Sequence, residues 1–327
     1  MAWCPIRWTG ADISTIAKAV IVAGPTASGK SALAMRIAQL FDGDVINADS
    51  MQVYDTLRVL TARPSVDDER LVPHRLYGIL PPAEVCSAGR WRGLAAAACE
   101  AAWERGRLPV VVGGTGLYLR ALTKGLSPVP DVPEAVRQEA RDRFAQLGNA
   151  AFHHALAELD PLMAGRLHPG NSQRLVRAWE VMAATGRSLA DWQAEPPADG
   201  LPARFFTIAV LPPRERLYAQ CDGRFSAMIS HGALDEVRAL MAQNLAPELP
   251  AMRALGVAEL AAHLSGRVSL EGAVTAGQQA TRRYAKRQMT WFRHQIIPDQ
   301  IMNTQFSESF EETIISNIRQ FLLTTTE

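Results

Sequence analysis

Gly24-Pro25-Thr26-Ala27-Ser28-Gly29-Lys30-Ser31 reads G-x-x-x-x-G-K-S, the pattern of a loop that cradles phosphate. Few short motifs constrain a fold so strongly. The loop needs a buried strand before it and a helix after it, so that backbone N–H groups and the helix N-terminus converge on one anion. Both flanks are present. Ala19-Val20-Ile21-Val22-Ala23 is a continuous apolar run, and Ala32 to Ala38 has helical spacing. Lys30 is placed to reach a terminal phosphate, and the Ser31 hydroxyl to hold Mg²⁺. The loop specifies diphosphate or triphosphate without specifying the molecule that carries it.

Further apolar runs extend the pattern. Asp44 to Ala48, Leu108 to Gly114 and Phe205 to Leu211 read as strands, and the Ala-rich stretch from Trp91 to Arg105 as a helix. Continuous apolar strands alternating with helices predict an α/β fold: a P-loop NTPase-like open parallel sheet with helices on both faces. Two Pro-rich breaks, Leu126 to Pro133 and Glu195 to Ala198, bracket a segment with helical spacing and caps at Asn149, Asp160 and Asn171. This predicts an all-helical insertion over 126–203 within a core of 19–125 and 204–300. A loose extension over 1–18 precedes the core, and a C-terminal helix and tail over 301–327 follow it. Thr275 to His294 reads as a polar, basic helix.

Composition narrows the function classes. The 327 residues carry a net charge of +1, so any nucleic-acid surface must be local. Cys4, Cys86, Cys99 and Cys221 are scattered with no C-x-x-C pair, which fits reduced thiols in a cytoplasmic protein and neither a zinc site nor a disulfide framework. No apolar run is long enough to span a membrane.

Two further sites face the same sheet edge. Asp49 lies just past the second strand, where open α/β sheets bind ligands. It can accept a proton from a nucleophile facing the loop, or cap a turn beginning at Ser50. Gly113-Gly114-Thr115-Gly116 follows the third strand; its glycines admit close backbone approach and Thr115 offers a hydroxyl, though a plain strand-to-helix turn fits as well. No acidic residue ends that strand, which argues against an ATPase. Near the C-terminus, Arg282 to Arg287 and Trp291 to His294 interleave cations with aromatics. Arg283, Lys286, Arg287 and Arg293 can share one helical face suited to RNA, or the helix is simply solvated with Trp291 in the core.

These blocks occur in a telling order. The phosphate loop, Asn47 to Tyr54, Thr61-Ala62-Arg63-Pro64, Pro73 to Leu76, Val112 to Tyr118, Gln173 to Val181, Arg224-Phe225 and Lys286 to Arg293 together resemble the tRNA dimethylallyltransferases of the IPP transferase family. The resemblance runs from about residue 19 to 294. It implies transfer of a dimethylallyl group from its diphosphate to the exocyclic amine of the adenine 3′ of the anticodon. In that family the loop (Gly24, Thr26, Ala27, Ser28, Gly29, Lys30, Ser31) holds the prenyl diphosphate instead of ATP. Asp49 is then the base, Thr115 orients the reacting groups, and Arg224 clamps the diphosphate. The tRNA anticodon stem-loop would meet Asp49, Ser50, Met51 and Gln52, then Gln173, Arg174 and Arg177 in the insertion. Arg253, Lys286, Arg287, Trp291 and Arg293 would complete that surface.

The implied enzyme is cytoplasmic and monomeric, uses Mg²⁺ and touches no membrane. Two departures stand out. Arg253 and Gly256 survive from an Arg followed by a Gly-Tyr-Arg element, but its aromatic and second basic residue are absent. Leu60-Thr61-Ala62-Arg63-Pro64 stands where Gly-Thr-Ala-Lys-Pro is usual. The competing readings are a small-molecule or nucleoside kinase and a non-catalytic, nucleotide-dependent RNA-binding module.

Overall fold

A computed structural model describes residues 16–198, 200–303 and 311–324. Cys4 and most of the expected extension over 1–18 lie outside the described residues. In chain order the elements are β1 (Lys18–Ala23), α1 (Lys30–Leu40), β2 (Gly43–Asn47), α2 (Val66–Leu71), β3 (His74–Arg75), α3 (Ala88–Glu104), β4 (Leu108–Gly113) and α4 (Gly116–Lys124). Then come α5 (Glu134–Leu159), α6 (Pro161–Ala164), α7 (Ser172–Thr185), α8 (Leu189–Ala194), β5 (Arg204–Val210), α9 (Arg214–Ser230) and α10 (Ala233–Met241). The 3₁₀ turn Pro250–Arg253, α11 (Val257–Leu264), α12 (Leu270–Gln295), β6 (Gln300–Met302) and α13 (Glu311–Leu323) complete the chain.

Contacts divide the chain into two compact units, 1–123 with 201–327 and 124–200. In the first, six parallel strands lie in the order β3-β2-β4-β1-β5-β6. The central strands β1, β2 and β4 are buried at every position, which explains their lack of polar alternation. Successive side chains point to opposite faces. Ile21, Ala23, Ile46 and Val111 pack against Trp91, Ala95, Tyr118, Leu119 and Phe292. Val20, Val22, Val45, Val110, Val112 and Val210 pack against Leu33, Ala34, Ile37, Ile314 and Ile318. The sheet is therefore covered on both sides.

Four of the six strands coincide with the apolar runs in the sequence. The edge strands β3 and β6 have two and three residues, too short to show a period. Residues 301–302 also pair with β5, and Ile314 and Ile318 of α13 are buried in the sheet core. Lys18 Nζ donates to the Leu322 and Thr324 carbonyls, both at 2.8 Å. The expected C-terminal helix is thus present, and the described residues 301–303 and 311–324 pack as part of the sheet domain.

The second unit is helical. α5 and α7 enclose Phe152, Leu156, Leu175, Ala178 and Val181, all fully buried. Gly148 interrupts α5 with φ 69° and ψ −179°, a conformation open to glycine, so α5 is two helices meeting at a kink beside Asn149. Asp160 caps α6 by accepting from Met163 N at 3.0 Å, and also accepts from Ser188 Oγ at 2.9 Å. Asn171 stands at the N-cap of α7 without a side-chain capping bond.

Candidate active site

The carboxyl ends of β2, β4 and β1 lie side by side, and each delivers one loop to the same sheet edge. After β1, the phosphate loop turns through two left-handed residues, Ala27 (φ 62°) and Gly29 (φ 88°), before α1 begins at Lys30. Such a conformation costs an alanine about 1–2 kcal/mol and is held by the surrounding loop. A Cβ on Gly24 would stand 2.7 Å from the Val210 carbonyl and 2.8 Å from Ser28 Oγ, so only glycine lets the loop leave the sheet here. Ser28 Oγ is buried with no hydrogen-bond partner. Lys30 Nζ donates to the Pro25 carbonyl at 3.2 Å, and Ser31 is exposed at the first turn of α1.

Asp49 sits on a turn built by Asn47. The Asn47 side chain is fully buried. Its Nδ2 donates to the Asp49 and Leu76 carbonyls, each at 3.0 Å, while its Oδ1 accepts from Asp49 N at 2.8 Å. Asp49 Oδ1 accepts from Met51 N at 2.9 Å. The turn-capping reading of Asp49 is therefore met, and it leaves the base reading geometrically open. One oxygen caps the turn, and the other, Oδ2, has no protein partner among the described residues.

Gly113, the last residue of β4, runs so close to the chain leaving β2 that a Cβ would fall 2.1 Å from the Ala48 carbonyl oxygen. This brings Thr115 to the Asp49 turn: Ser50 N donates to Thr115 Oγ1 at 2.9 Å, and the two hydroxyls lie 3.3 Å apart. Arg224, from α9, donates to Thr26 Oγ1. Its neighbour Phe225 is wedged between Gly256 and Gly277, which fixes the pitch of α9 against α12.

Electrostatics tie these loops together. Burial pushes the Lys30 ammonium down to about 8; the Asp49 carboxylate opposes that shift, and the Arg224 charge adds to it. Burial also lowers Arg224, again against the pull of Asp49. The Tyr284 phenol is raised by burial and by the Asp49 charge, and shares a hydrogen bond with Thr115. Two cations, a carboxylate, a hydroxyl and a loop of amides thus share one site, which can hold a polyanion and accept a proton beside it.

The profile of the IPP transferase family matches residues 52–295, and that of isopentenyl transferases matches 17–78. The chain belongs to the IPP transferase family. The tRNA dimethylallyltransferase of Paramagnetospirillum magneticum is 60% identical over 311 residues, covering 95% of this chain and 99% of that protein. That of Rhodospirillum rubrum is 55% identical, covering 93% and 95%. Among solved structures, the tRNA isopentenylpyrophosphate transferase of Bacillus halodurans superposes with a TM-score of 0.66 at 31% identity, covering 93% of this chain and 96% of that one. A eukaryotic dimethylallyltransferase acting on tRNA reaches a TM-score of 0.77 at 27% identity, covering 95% and 81%.

The remaining sequence-derived residues fall into distinct settings. Arg283, Lys286, Arg287 and Arg293 are all exposed on α12, with Arg287 lying 5.6 Å from the Tyr284 ring centroid. Arg282 instead binds both Asp222 oxygens at 2.6 Å. Trp291 is half-buried against the sheet core, and its ring occupies the space a Gly116 side chain would need. Gln52 commits its amide nitrogen to the Thr61 and Ala62 carbonyls at 2.8 and 2.9 Å, and Met51 packs among apolar side chains. Gln173 and Arg174 are exposed on α7, and Arg177 pairs with Glu180 at 3.3 Å. Those three belong to the helical unit.

The two departures acquire physical settings. Arg253 is exposed at the end of its 3₁₀ turn, and Gly256 opens α11 with φ 91°. Val257, where the family's aromatic would stand, is buried. Arg63 places its guanidinium over Gly78 and donates to the Tyr54 and Asp55 carbonyls at 3.2 and 3.0 Å, so it braces the loop after Asp49. Asn47, Tyr284 and Gln288 lie inside segments the sequence singles out, but no role in the site attaches to them there. Only their buried polar contacts reveal them.

Proposed function

We propose that this chain is a tRNA dimethylallyltransferase that carries the dimethylallyl group of dimethylallyl diphosphate to the N6 amine of the adenine 3′-adjacent to the anticodon. The observation that carries this reading is the convergence at one sheet edge of the phosphate loop, whose Thr26 hydroxyl accepts from Arg224, and the Asp49 turn, which Thr115 anchors through Ser50 N. A kinase shares the loop, but the family profiles and the relatives favour the transferase.

The chemistry follows from the residues. The allylic C–O bond breaks as the C–N bond to adenine forms, and diphosphate leaves. Charge then builds on the leaving oxygens, where Lys30, Arg224 and the loop amides lower the barrier. The adenine amine is a weak nucleophile, and its proton passes to the uncommitted Oδ2 of Asp49. Thr115, anchored by Ser50 N, orients the acceptor side. A base stacked in an anticodon loop cannot reach such a cleft, so the adenine is flipped out.

Mg²⁺ fits the donor set. No group of three or more His, Cys, Asp or Glu able to hold a metal occurs among the described residues, whereas the exposed Ser31 hydroxyl offers one hard oxygen. This suits an ion that keeps its waters and takes most protein-independent ligands from substrate phosphates. When bound, Mg²⁺ would neutralise charge on the departing diphosphate.

The basic face of α12 suits RNA phosphates, and the exposed Gln173 and Arg174 of the helical unit suit the anticodon stem. No helix among the described residues is long and apolar enough to cross a membrane. The proposal takes the enzyme as a monomer working in the cytoplasm, where its tRNA is found. The test is incubation with labelled dimethylallyl diphosphate, labelled ATP and unmodified tRNA in parallel. Prenyl label entering tRNA supports the proposal; label passing only from ATP ends it.

A further inference from the structure

The inner face of α12 touches both catalytic loops. Tyr284, Gln288 and Trp291, at successive turns, meet Thr115, Gly114 and Gly116 respectively. Gln288 does something more. Its Oε1 accepts from Thr26 N at 2.8 Å, and its Nε2 donates to the Gly114 carbonyl at 2.8 Å. The side chain is only 6% exposed. Its orientation is unambiguous, because a backbone N–H can only donate and a carbonyl can only accept.

This amide spans the two halves of the site. Thr26 belongs to the phosphate loop and carries the hydroxyl that Arg224 holds. Gly114 precedes Thr115, which anchors the Asp49 turn. The fit is close enough that a Cβ on Gly114 would fall 2.3 Å from Gln288 Nε2. The Thr26 N–H is therefore engaged by Gln288 and is not one of the donors aimed at phosphate.

We propose that Gln288 is a positioning residue that locks the phosphate loop to the Gly113–Gly116 turn, so that donor cradle and acceptor hydroxyl keep one spacing. The proposal rests on the transferase reading for its substrates. The juxtaposition of the two loops through one buried amide does not depend on it.

Two variants separate the possibilities. Gln288→Met keeps the volume and removes both hydrogen bonds. Gln288→Glu keeps the acceptor for Thr26 but sets a second oxygen against the Gly114 carbonyl until that carboxyl is protonated. We expect kcat to fall about 10- to 100-fold in each, the scale of a misplacement near 1 Å. Affinity for inorganic diphosphate, measured by calorimetry, should weaken about tenfold, while tRNA affinity stays within about twofold, because the Gln288 side chain is buried and both ends of its amide are engaged by protein. Relative to the parent enzyme at each pH, Gln288→Glu should recover activity as the pH falls toward the carboxyl range, and Gln288→Met should not.

Unchanged kcat and diphosphate affinity in both variants would overturn the proposal. So would lost tRNA affinity at constant kcat, or two variants that simply fail to fold. Parent turnover with dimethylallyl diphosphate and tRNA in the same series tests the transferase reading separately. Diphosphate affinity tests Gln288 whatever group is transferred.

Discussion

Replacing Gly277 with alanine sets two opposing effects against each other inside α12. In a helix interior, glycine costs about 1 kcal/mol relative to alanine, so propensity alone favours the substitution. Packing opposes it. The added Cβ would lie 2.2 Å from the Phe225 ring, where ordinary contact begins at 3.4 Å. The ring is 3% exposed, and its other edge already stands 2.9 Å from where a Gly256 Cβ would be. It has nowhere to retreat. An approach this close belongs to the upper part of the about 1–3 kcal/mol range that overpacking costs; taking about 2–3 kcal/mol less the propensity gain of about 1 leaves a net loss of about 1–2 kcal/mol and a midpoint lower by about 2–4 °C.

Phe225 adjoins Arg224, so the displaced ring should also draw the guanidinium off Thr26 and raise the KM for donor. Gly223→Ala is the control. It lies in α9, exposed, with nothing within 4 Å of the added Cβ, and should stabilise by about 0.5–1 kcal/mol without changing KM. Thermal unfolding by circular dichroism and steady-state kinetics read both variants. A Gly277→Ala protein that melts at or above the parent would refute the wedge and the reasoning built on it.

Three further outcomes are expected. Asp49→Ala should lower turnover by about two to four orders of magnitude, the scale of losing a general base, and unchanged single-turnover rates would remove Asp49 from that role. Lys30, lowered to about 8 by burial, should make donor affinity highest below that pH and weaker by up to about tenfold per unit above it, since only the ammonium form attracts diphosphate. Calorimetry should show that limb vanish in Lys30→Met. For stability the sign is the reverse: between about 8 and 10.5 the unfolded chain binds the extra proton, so this residue's contribution to stability rises with pH. Arg287→Ala should weaken tRNA binding and flatten its dependence on log salt by about one unit of slope; an unaltered slope would assign the residue to the fold.

Most of the sheet and the placement of the candidate site were readable from residue order alone. The loop from Gly24 to Ser31, the strands around it and Asp49 at a sheet edge are local patterns, because phosphate binding depends on neighbouring backbone amides and strand burial on consecutive apolar residues. What tertiary structure decided is which distant residues hold those parts in place. Gln288 lies 262 residues from Thr26 and 174 from Gly114; its segment stands out in the sequence as a basic, aromatic run, but nothing there says that this amide turns inward to join two loops. Likewise the chain alone left Trp291 open between an RNA platform and the core. Its packing on Gly116 arises only when α12 crosses the β4 loop. Edge strands of two and three residues were equally unreadable, since pairing with a neighbour defines them and no period can. Sequence specifies groups that act through their own backbone; the fold selects the side chains that act through someone else's.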